Sequence, residues 1–271
     1  IFNAADDPGA WTQAVCAAGY RAAYCPLKPD ADDATVRAYA NAAAQAGIII
    51  AEVGAWSNPL SPDPATRQAA IAHCQASLHL ADRIGARCCV NITGSRGPKW
   101  DGPDPRDLTD ETFYMIVQTV RDIIDTVQPT RTYYTLETMP WAYPDSASSY
   151  LALLAAIDRP ACAVHLDPVN LVCSPQRYFA NAALLRDCFE KLGPHIRSCH
   201  AKDILLAPEL TVHLSEVRPG LGALDYDVFL TELARLDPDT PLMLEHLTAE
   251  VDYRLAAEHI RSVAARNEIS L

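Results

Sequence analysis

Short apolar segments of strand length alternate with longer Ala- and Leu-rich segments of helical period along the chain. Eight such strand–helix units follow one another, and the first strand, at residues 1–3, is cut short by the start of the sequence. The predicted helices include segments over 110–127 and 176–192, and a long loop is predicted between the strand at 196–201 and residue 224. Strands that alternate with helices predict a parallel sheet, and eight units in about 250 residues predict an α/β fold, the (β/α)8 or TIM barrel. We expect one domain over residues 1–271, because no linker rich in Pro, Gly or Ser divides the chain. An open doubly wound sheet is the alternative, but no GxGxxG motif follows a strand to favour its nucleotide-binding form.

The net charge and the cysteine content of the chain indicate which partners and which cellular compartment to expect. The formal net charge is -12 at pH 7, which repels a phosphate backbone, so we expect no nucleic-acid partner. No apolar run approaches the roughly 20 residues of a membrane span, so we expect no membrane partner. The nine cysteines are odd in number and show no CxxC spacing. We therefore expect reduced thiols in a cytoplasmic protein, rather than disulfides or a zinc–thiolate site.

Side chains that can bind a metal stand at the carboxyl ends of the last four predicted strands. In a barrel of this kind the carboxyl ends of the strands form the catalytic face. The four residues are Glu137, Asp167, His200 and Glu245, at the ends of strands predicted over 133–137, 162–167, 196–201 and 242–246. We expect these side chains to meet at one point above the barrel.

The alternation of residues along these strands agrees with a shared inward direction. Successive side chains of a strand point to opposite faces, so if Asp167 points into the barrel, Leu166 faces the helices. His165 then also points inward, one pleat below Asp167. The other three strands likewise turn their apolar neighbours toward the helices. Each polar residue alone has an equally simple explanation as a strand end in water, but four in register favour a shared site.

Three carboxylates and one imidazole in one place predict a site for one divalent metal ion. Without a cation, the carboxylates would repel one another and their pKa values would rise. The oxygen-rich set favours Mn²⁺, and Mg²⁺, Co²⁺ and Zn²⁺ are the alternatives.

These segments resemble the xylose-isomerase-like TIM barrels, a superfamily of sugar and sugar-phosphate isomerases and epimerases. The resemblance covers most of the chain and rests on five segments: LETMPW at 136–141, LDPVN at 166–170, HAKD at 200–203, PGLGALDY at 219–226 and LEH at 244–246. It implies that Glu137, Asp167, His200 and Glu245 bind one catalytic metal, and that the two glutamates flank the reacting carbon. It also implies a role in carbohydrate metabolism and a barrel that can pair with a second copy.

Two positions depart from the ketose 3-epimerases of that family. Those enzymes usually have a His three residues after the metal-binding Asp and an Arg six residues after the metal-binding His. Asn170 and Leu206 stand at these positions. The substrate contacts of those epimerases are therefore not reproduced, and Lys202 and Arg218 are the candidates to replace them.

The predicted function is that of a metal-dependent isomerase or epimerase that acts on a sugar-like ketone through an enediolate. Glu137 and Glu245 are the predicted acid–base pair. A lyase of the same fold, such as a polyol or inosose dehydratase or a glycoside-cleaving enzyme, uses the same ligands and remains an alternative. A non-catalytic sugar-binding barrel is a remote alternative. An apurinic-site endonuclease is another, but it needs additional His ligands where the third and fourth predicted strands offer Glu52 and Asn91.

The predicted partner is a small sugar or polyol substrate, and eight residues are candidates to contact it. They are Glu52, Trp56, Asn91, Trp141, His165, Asn170, Lys202 and Arg218. A structural role is an open alternative for several of them. His165 suits an inner-barrel histidine with its own hydrogen bonds, Lys202 suits a surface lysine, and the tryptophans suit simple loop packing.

Overall fold

A computed structural model describes residues 7–271 of the protein. Seven parallel strands form a sheet that curves into a nearly closed barrel, in the order β1-β2-β3-β4-β5-β6-β9. The strands are β1 (Ala22–Tyr24), β2 (Ile49–Gly54), β3 (Cys88–Asn91), β4 (Tyr134–Glu137), β5 (Cys162–Leu166), β6 (Ile196–Ala201) and β9 (Leu242–Leu244). The edge strands β1 and β9 approach each other. The predicted α/β TIM barrel is therefore confirmed, whereas the predicted strand at residues 1–3 lies outside the described residues.

Helices follow the strands and cover the outside of the barrel. Within residues 7–271 they are α1 (Pro8–Ala17), α2 (Asp33–Ala46), α3 (Pro64–Ile84), α4 (Asp110–Val127), α5 (Ala147–Ile157), α6 (Pro175–Phe179), α7 (Asn181–Leu192), α8 (Tyr226–Leu233) and α9 (Glu250–Arg266). Local signals fix their ends, as α3 illustrates. The Asp63 carboxylate accepts the Thr66 N–H at 2.7 Å and Pro64 begins the helix. Gly85 then ends it with a left-handed φ of 79°.

One predicted helix, over 176–192, is divided into α6 and α7. The break falls at Ala180, whose φ of −115° and ψ of 27° lie outside the helical region. The cause is the side chain of Asn181. Its amide donates to the carbonyls of Tyr178 at 2.7 Å and Ala223 at 2.9 Å, and so fixes the start of α7 to a distant loop.

The predicted long loop after β6 contains an antiparallel hairpin instead. The hairpin comprises β7 (Asp203–Leu206) and β8 (Leu214–Val217), with Asp203 opposite Val217. The buried carboxylate of Asp203 accepts the backbone N–H groups of Gly220, Gly222 and Leu224 at 2.9 to 3.1 Å. A Cβ on Gly222 would lie 2.3 Å from Asp203 Oδ1, so this close approach requires glycine. The GLG turn therefore anchors the hairpin to the barrel mouth.

The apolar core lies between the sheet and the helices. A single tyrosine links strands β4 and β5 across it: the Tyr150 hydroxyl, fully buried, accepts the N–H groups of Leu136 at 3.0 Å and His165 at 3.2 Å. All nine cysteines lie within the described residues and are unpaired, and Cys74, Cys88, Cys89, Cys162, Cys188 and Cys199 are buried. No helix in residues 7–271 is long and apolar enough to cross a membrane.

Candidate active site

The four predicted metal ligands converge at the carboxyl ends of the strands. Glu137 ends β4 and His200 lies in β6, while Asp167 and Glu245 directly follow β5 and β9. Each residue offers one ligand atom, and these atoms all lie within 4.8 Å of one another. Asp167 and His200 are fully buried and Glu137 is 5% exposed. The barrel therefore brings three carboxylates and an imidazole together in a space with little solvent.

Lys202 points into the same space. Its Nζ lies 2.7 Å from Asp167 Oδ2 and 3.7 Å from Glu137 Oε1, and it also forms an ion pair with Glu245 Oε1. The residue is only 2% exposed. Its backbone carbonyl accepts the hydroxyl of Tyr226 at 2.7 Å, which fixes the strand end from which the side chain extends.

The ionisation of the cluster follows from burial and from these neighbours. Burial would raise the pKa of Asp167, but the charges of Lys202 and His200 hold that pKa well below its usual range. Burial would lower the pKa of His200, but Glu52 and the three carboxylates raise it well above its usual value. Burial raises the pKa of Glu137, and the contacts with His200 offset only part of this rise. The pKa of Glu245 lies below its usual value because His200 and Lys202 outweigh its burial.

The donor set fits a divalent cation. Asp167 Oδ2 and Glu245 Oε1 are buried and accept no hydrogen bond of regular geometry, although both lie within ion-pair range of Lys202. Both oxygens face the same buried space as Glu137 Oε1 and His200 Nδ1, which makes that space a suitable ligand position for a cation. Three carboxylates and one imidazole can serve as ligands of Mn²⁺ or Mg²⁺.

A second polar layer lies directly beneath the four ligands. Glu52, at 1% exposure, points inward from β2. Its Oε1 accepts the Ser198 hydroxyl and lies 3.0 Å from His165 Nε2, and its Oε2 lies 3.4 Å from His200 Nε2. Burial would raise the pKa of Glu52, but His165 and His200 hold it far below its usual value. Glu52 and His165 therefore lie under the ligand layer, and both are closed off from solvent.

The remaining polar candidates lie in different places. Asn170 is beside the cluster, where its Nδ2 donates to Glu137 Oε1 at 3.0 Å and to the Thr138 carbonyl at 3.1 Å. Asn91 points away from the barrel interior, and its amide lies 3.3 Å from Cys74 Sγ of α3. The structure does not bring Asn91 to the four ligands.

Arg218 also turns away from the ligands. Its Nε lies 3.6 Å from Asp252 Oδ1 of α9. In the part of the chain that the structure describes, no ion pair joins Arg218 to any of the four ligands.

Two tryptophans lie in loops on the catalytic face. Trp56 follows β2 and Trp141 follows β4, and they are 43% and 39% exposed. The Trp141 indole N–H donates to the Asp101 carbonyl at 3.1 Å, which joins two loops of this face. Trp56 packs so closely on Gly54 that a Cβ there would lie 2.5 Å from the indole nitrogen.

Two further residues near the cluster, Tyr24 and Glu216, were not among the sequence-based candidates. Tyr24, at the end of β1, is 39% exposed, and its ring centroid lies 6.5 Å from that of His200. Its position at a strand end is a signal that could have identified it. Glu216 lies 3.6 Å from Lys202 and 3.1 Å from the exposed His246. Glu216 belongs to the unpredicted strand β8, so no strand-end signal indicated it.

Comparisons with known proteins agree with the fold. The sequence profile of the xylose isomerase-like TIM barrel proteins matches residues 13–263. No curated protein sequence matches the chain.

Three solved structures illustrate the likeness in fold. A xylose isomerase-like TIM barrel protein from Mycobacterium smegmatis, solved in complex with magnesium, has a TM-score of 0.68 and 16% identity, over 97% of this chain and 90% of that one. The probable 3-DHS dehydratase of Bacillus anthracis has a TM-score of 0.69 and 19% identity, over 95% and 93%. A D-psicose 3-epimerase from Clostridium cellulolyticum has a TM-score of 0.66 and 16% identity, over 95% and 91%. At these identities the likeness shows a shared fold.

Proposed function

Because this chain belongs to the xylose isomerase-like TIM barrel family, we propose that it is a divalent-metal-dependent isomerase or epimerase that acts on a small sugar-like ketone. The observation that supports this most directly is the convergence of Glu137, Asp167, His200 and Glu245, whose ligand atoms lie within 4.8 Å of one another. In TIM barrels this face is where catalysis takes place.

The four converging residues would hold one divalent ion. Mn²⁺ suits the oxygen-rich set, and Mg²⁺ is the nearest alternative because a relative of the same fold was solved with it. When bound, the ion supplies Lewis acidity for a substrate carbonyl. The residues themselves provide the acid–base chemistry and the contacts with the substrate.

Glu245 and Glu137 are the proposed proton carriers. The pKa of Glu245 is held low by His200 and Lys202, so its carboxylate stays ionised and is the base for the C–H beside the carbonyl. Glu137, the second glutamate of the cluster, is the proposed group that returns a proton. Delivery to the opposite face of the same carbon gives an epimer, and delivery to the neighbouring carbon gives an isomer.

We propose supporting roles for the other polar residues of the site. The Asn170 amide donates to Glu137 Oε1 and orients that carboxyl group. The Lys202 ammonium lies among the carboxylates and is placed to bind an oxygen of the substrate. Trp56 and Trp141 would shield the substrate from water at the mouth.

A lyase that removes a hydroxyl from a polyol-like ketone is the second candidate. The observation that favours it is the missing epimerase pair: Asn170 replaces the usual His, and Leu206 of β7 replaces the usual Arg. The fold relative from Bacillus anthracis is a probable dehydratase. Deprotonation beside a carbonyl is the first step of both reactions, so Glu245 retains its role.

Isotope exchange tests the proposal. The metal-free protein is supplied with Mn²⁺ and incubated in D₂O with a panel of ketoses and inososes, and the products are analysed by NMR. We expect deuterium at the carbon beside the carbonyl of at least one compound, and we expect Glu245→Gln to abolish the exchange. Glu190→Gln, an exposed glutamate of α7, is the matched control and retains full exchange.

The products separate the two candidates. An epimeric or isomeric ketose supports the main proposal, and a dehydrated product supports the lyase. Absence of exchange with every compound in the presence of Mn²⁺ contradicts both.

A further inference from the structure

We infer that Glu52 is a positioning residue for the metal ligand His200. The Glu52 carboxylate accepts a hydrogen bond from the Nε2–H group of His200. The ring proton therefore stays on Nε2, and the Nδ1 lone pair is free to face the three acidic ligands. This inference rests on the proposed metal site, and it assigns to Glu52 a role in metal binding rather than in substrate contact.

The two nitrogens of His200 face two different sets of groups. Nδ1 lies 2.9 Å from Glu245 Oε1 and 3.4 Å from Glu137 Oε1. Nε2 lies on the opposite side of the ring, 3.4 Å from Glu52 Oε2. An imidazole that binds a metal through one nitrogen has its proton on the other, and an acceptor for that proton fixes the ring and the tautomer. Glu52 is in the position of that acceptor.

The surroundings of Glu52 keep it in this position. The residue is 1% exposed, and its Oε1 accepts the Ser198 hydroxyl and lies 3.0 Å from His165 Nε2. The ring of His165 packs on that of His200 with 4.1 Å between centroids and an interplanar angle of 71°. Rotation of the His200 ring is therefore limited both by packing and by a hydrogen bond.

The unpaired nitrogen of His165 sets the direction of these hydrogen bonds. His165 Nδ1 is buried, and no residue within 7–271 is a hydrogen-bond partner for it. A proton placed there would have no acceptor, so the neutral ring has its proton on Nε2 and donates it to Glu52 Oε1. Ser198 donates to the same oxygen. Glu52 Oε2 is then the oxygen that accepts the hydrogen bond from His200 Nε2.

The substitution Glu52→Gln changes this arrangement in a defined way. Ser198 and His165 both donate to the same oxygen of Glu52. In the variant, the single carbonyl oxygen of the glutamine therefore faces these two donors. Its NH₂ group then faces His200 Nε2, so this nitrogen must accept a hydrogen bond rather than donate one. His200 keeps its own proton on Nδ1, and that nitrogen can no longer bind the ion. The amide replaces the carboxylate with almost no change in volume.

Metal titration by calorimetry tests the inference. Metal-free wild type, Glu52→Gln and Asp107→Asn are titrated with Mn²⁺, and the thermal unfolding of each metal-free protein is recorded. Asp107 is the matched control because it is also a fully buried carboxylate, which accepts from Ser95 Oγ at 2.7 Å in a loop that contributes no ligand. We expect Glu52→Gln to weaken Mn²⁺ binding about 10- to 100-fold and Asp107→Asn to leave it unchanged.

A spectroscopic measurement on the wild type makes the test independent of the folding of the variant. In the Mg²⁺-loaded protein with ¹⁵N-labelled histidine, His200 should show a protonated Nε2 and an unprotonated Nδ1. The reverse pattern overturns the inference, whether or not Glu52→Gln folds.

The outcomes separate this inference from the proposed function. Equal Mn²⁺ affinity of wild type and Glu52→Gln overturns the positioning role alone. Two ions per wild-type chain and one per Glu52→Gln chain also overturn it, because Glu52, His165 and His200 would then hold a second ion of their own. A wild type that binds neither Mn²⁺ nor Mg²⁺ overturns both proposals.

Discussion

Lys202 is the cation that opposes the buried carboxylates, so its removal should destabilise the metal-free protein far more than the metal-loaded protein. The Nζ lies 2.7 Å from Asp167 Oδ2 and forms ion pairs with Glu137 and Glu245 as well. The side chain is only 2% exposed, so water does little to screen these charges. The substitution Lys202→Met removes the charge and retains most of the apolar stem.

The size of the effect follows from the burial of the pair. Removal of one partner of a buried ion pair costs about 3–5 kcal/mol, because the other charge stays buried without compensation. An ion at 100 times its Kd stabilises the wild type by about 2.7 kcal/mol. In Lys202→Met the same ion also neutralises carboxylates that have lost their cation. We therefore expect Lys202→Met to lose about 2 kcal/mol less free energy of unfolding with the ion bound than without it.

Urea denaturation with EDTA or with saturating Mn²⁺ measures this coupling. The control is Lys191→Met, because Lys191 forms an exposed ion pair with Asp187 at 2.7 Å. Such surface pairs contribute about 0–1 kcal/mol, and we expect the same small loss with and without the ion. If Lys202→Met loses equal free energy of unfolding in both conditions, Lys202 and the ion do not share the carboxylates, and the reasoning is refuted.

Three further predictions concern the scaffold. Tyr150→Phe should lower the free energy of unfolding in urea by about 1–3 kcal/mol, because buried N–H groups of two strands lose their acceptor; a loss below about 0.5 kcal/mol would contradict this. Only Cys16 and Cys173 are exposed, and burial raises the pKa of the partly exposed Cys25 to about 11. Two thiols of the native protein should therefore react rapidly with Ellman's reagent at about pH 8. All nine should react in urea. Rapid reaction of further thiols in the native protein would count against the packing. Gly222→Ala would place a Cβ 2.3 Å from Asp203 Oδ1, so it should loosen the β7–β8 hairpin and speed proteolysis at residues 207–213, and an unchanged rate would count against this anchoring role.

Local signals made most of the barrel predictable. The helix predicted over 110–127 coincides with α4, because Thr109 caps its first turn and an apolar face repeats at helical spacing. The division between α6 and α7 was not predictable in the same way. It depends on the contact of Asn181 with Ala223, 42 residues away, and sequence periodicity contains no information about such a contact.

The same distinction explains why the convergence of the four strand-end residues was easier to predict than the positions of the substrate-contact candidates. A ligand at a strand end needs only the correct strand and the correct parity, and parity follows from the apolar neighbours. Asn91 shows the limit of this reasoning. It stands opposite Leu136 in the β3–β4 register, on the face that packs against helices, and a strand-end position alone does not reveal this. Arg218 follows β8, a strand that the sequence did not indicate, so its direction was not predictable either.

The two polar layers inside the barrel bear on the proposal that this end of the protein binds a cation. The upper layer brings Glu137, Asp167 and Glu245 together, and the lower layer adds Glu52, while Lys202 and His200 supply the opposing charge. Buried charges lose hydration, and the apolar packing of helices on the outer face of the sheet must offset that loss. A chain under selection for stability alone would fill these positions with apolar side chains. Retention of costly charges at the catalytic face therefore points to function, and the acceptor position of Glu52 extends that function one layer below the ligands.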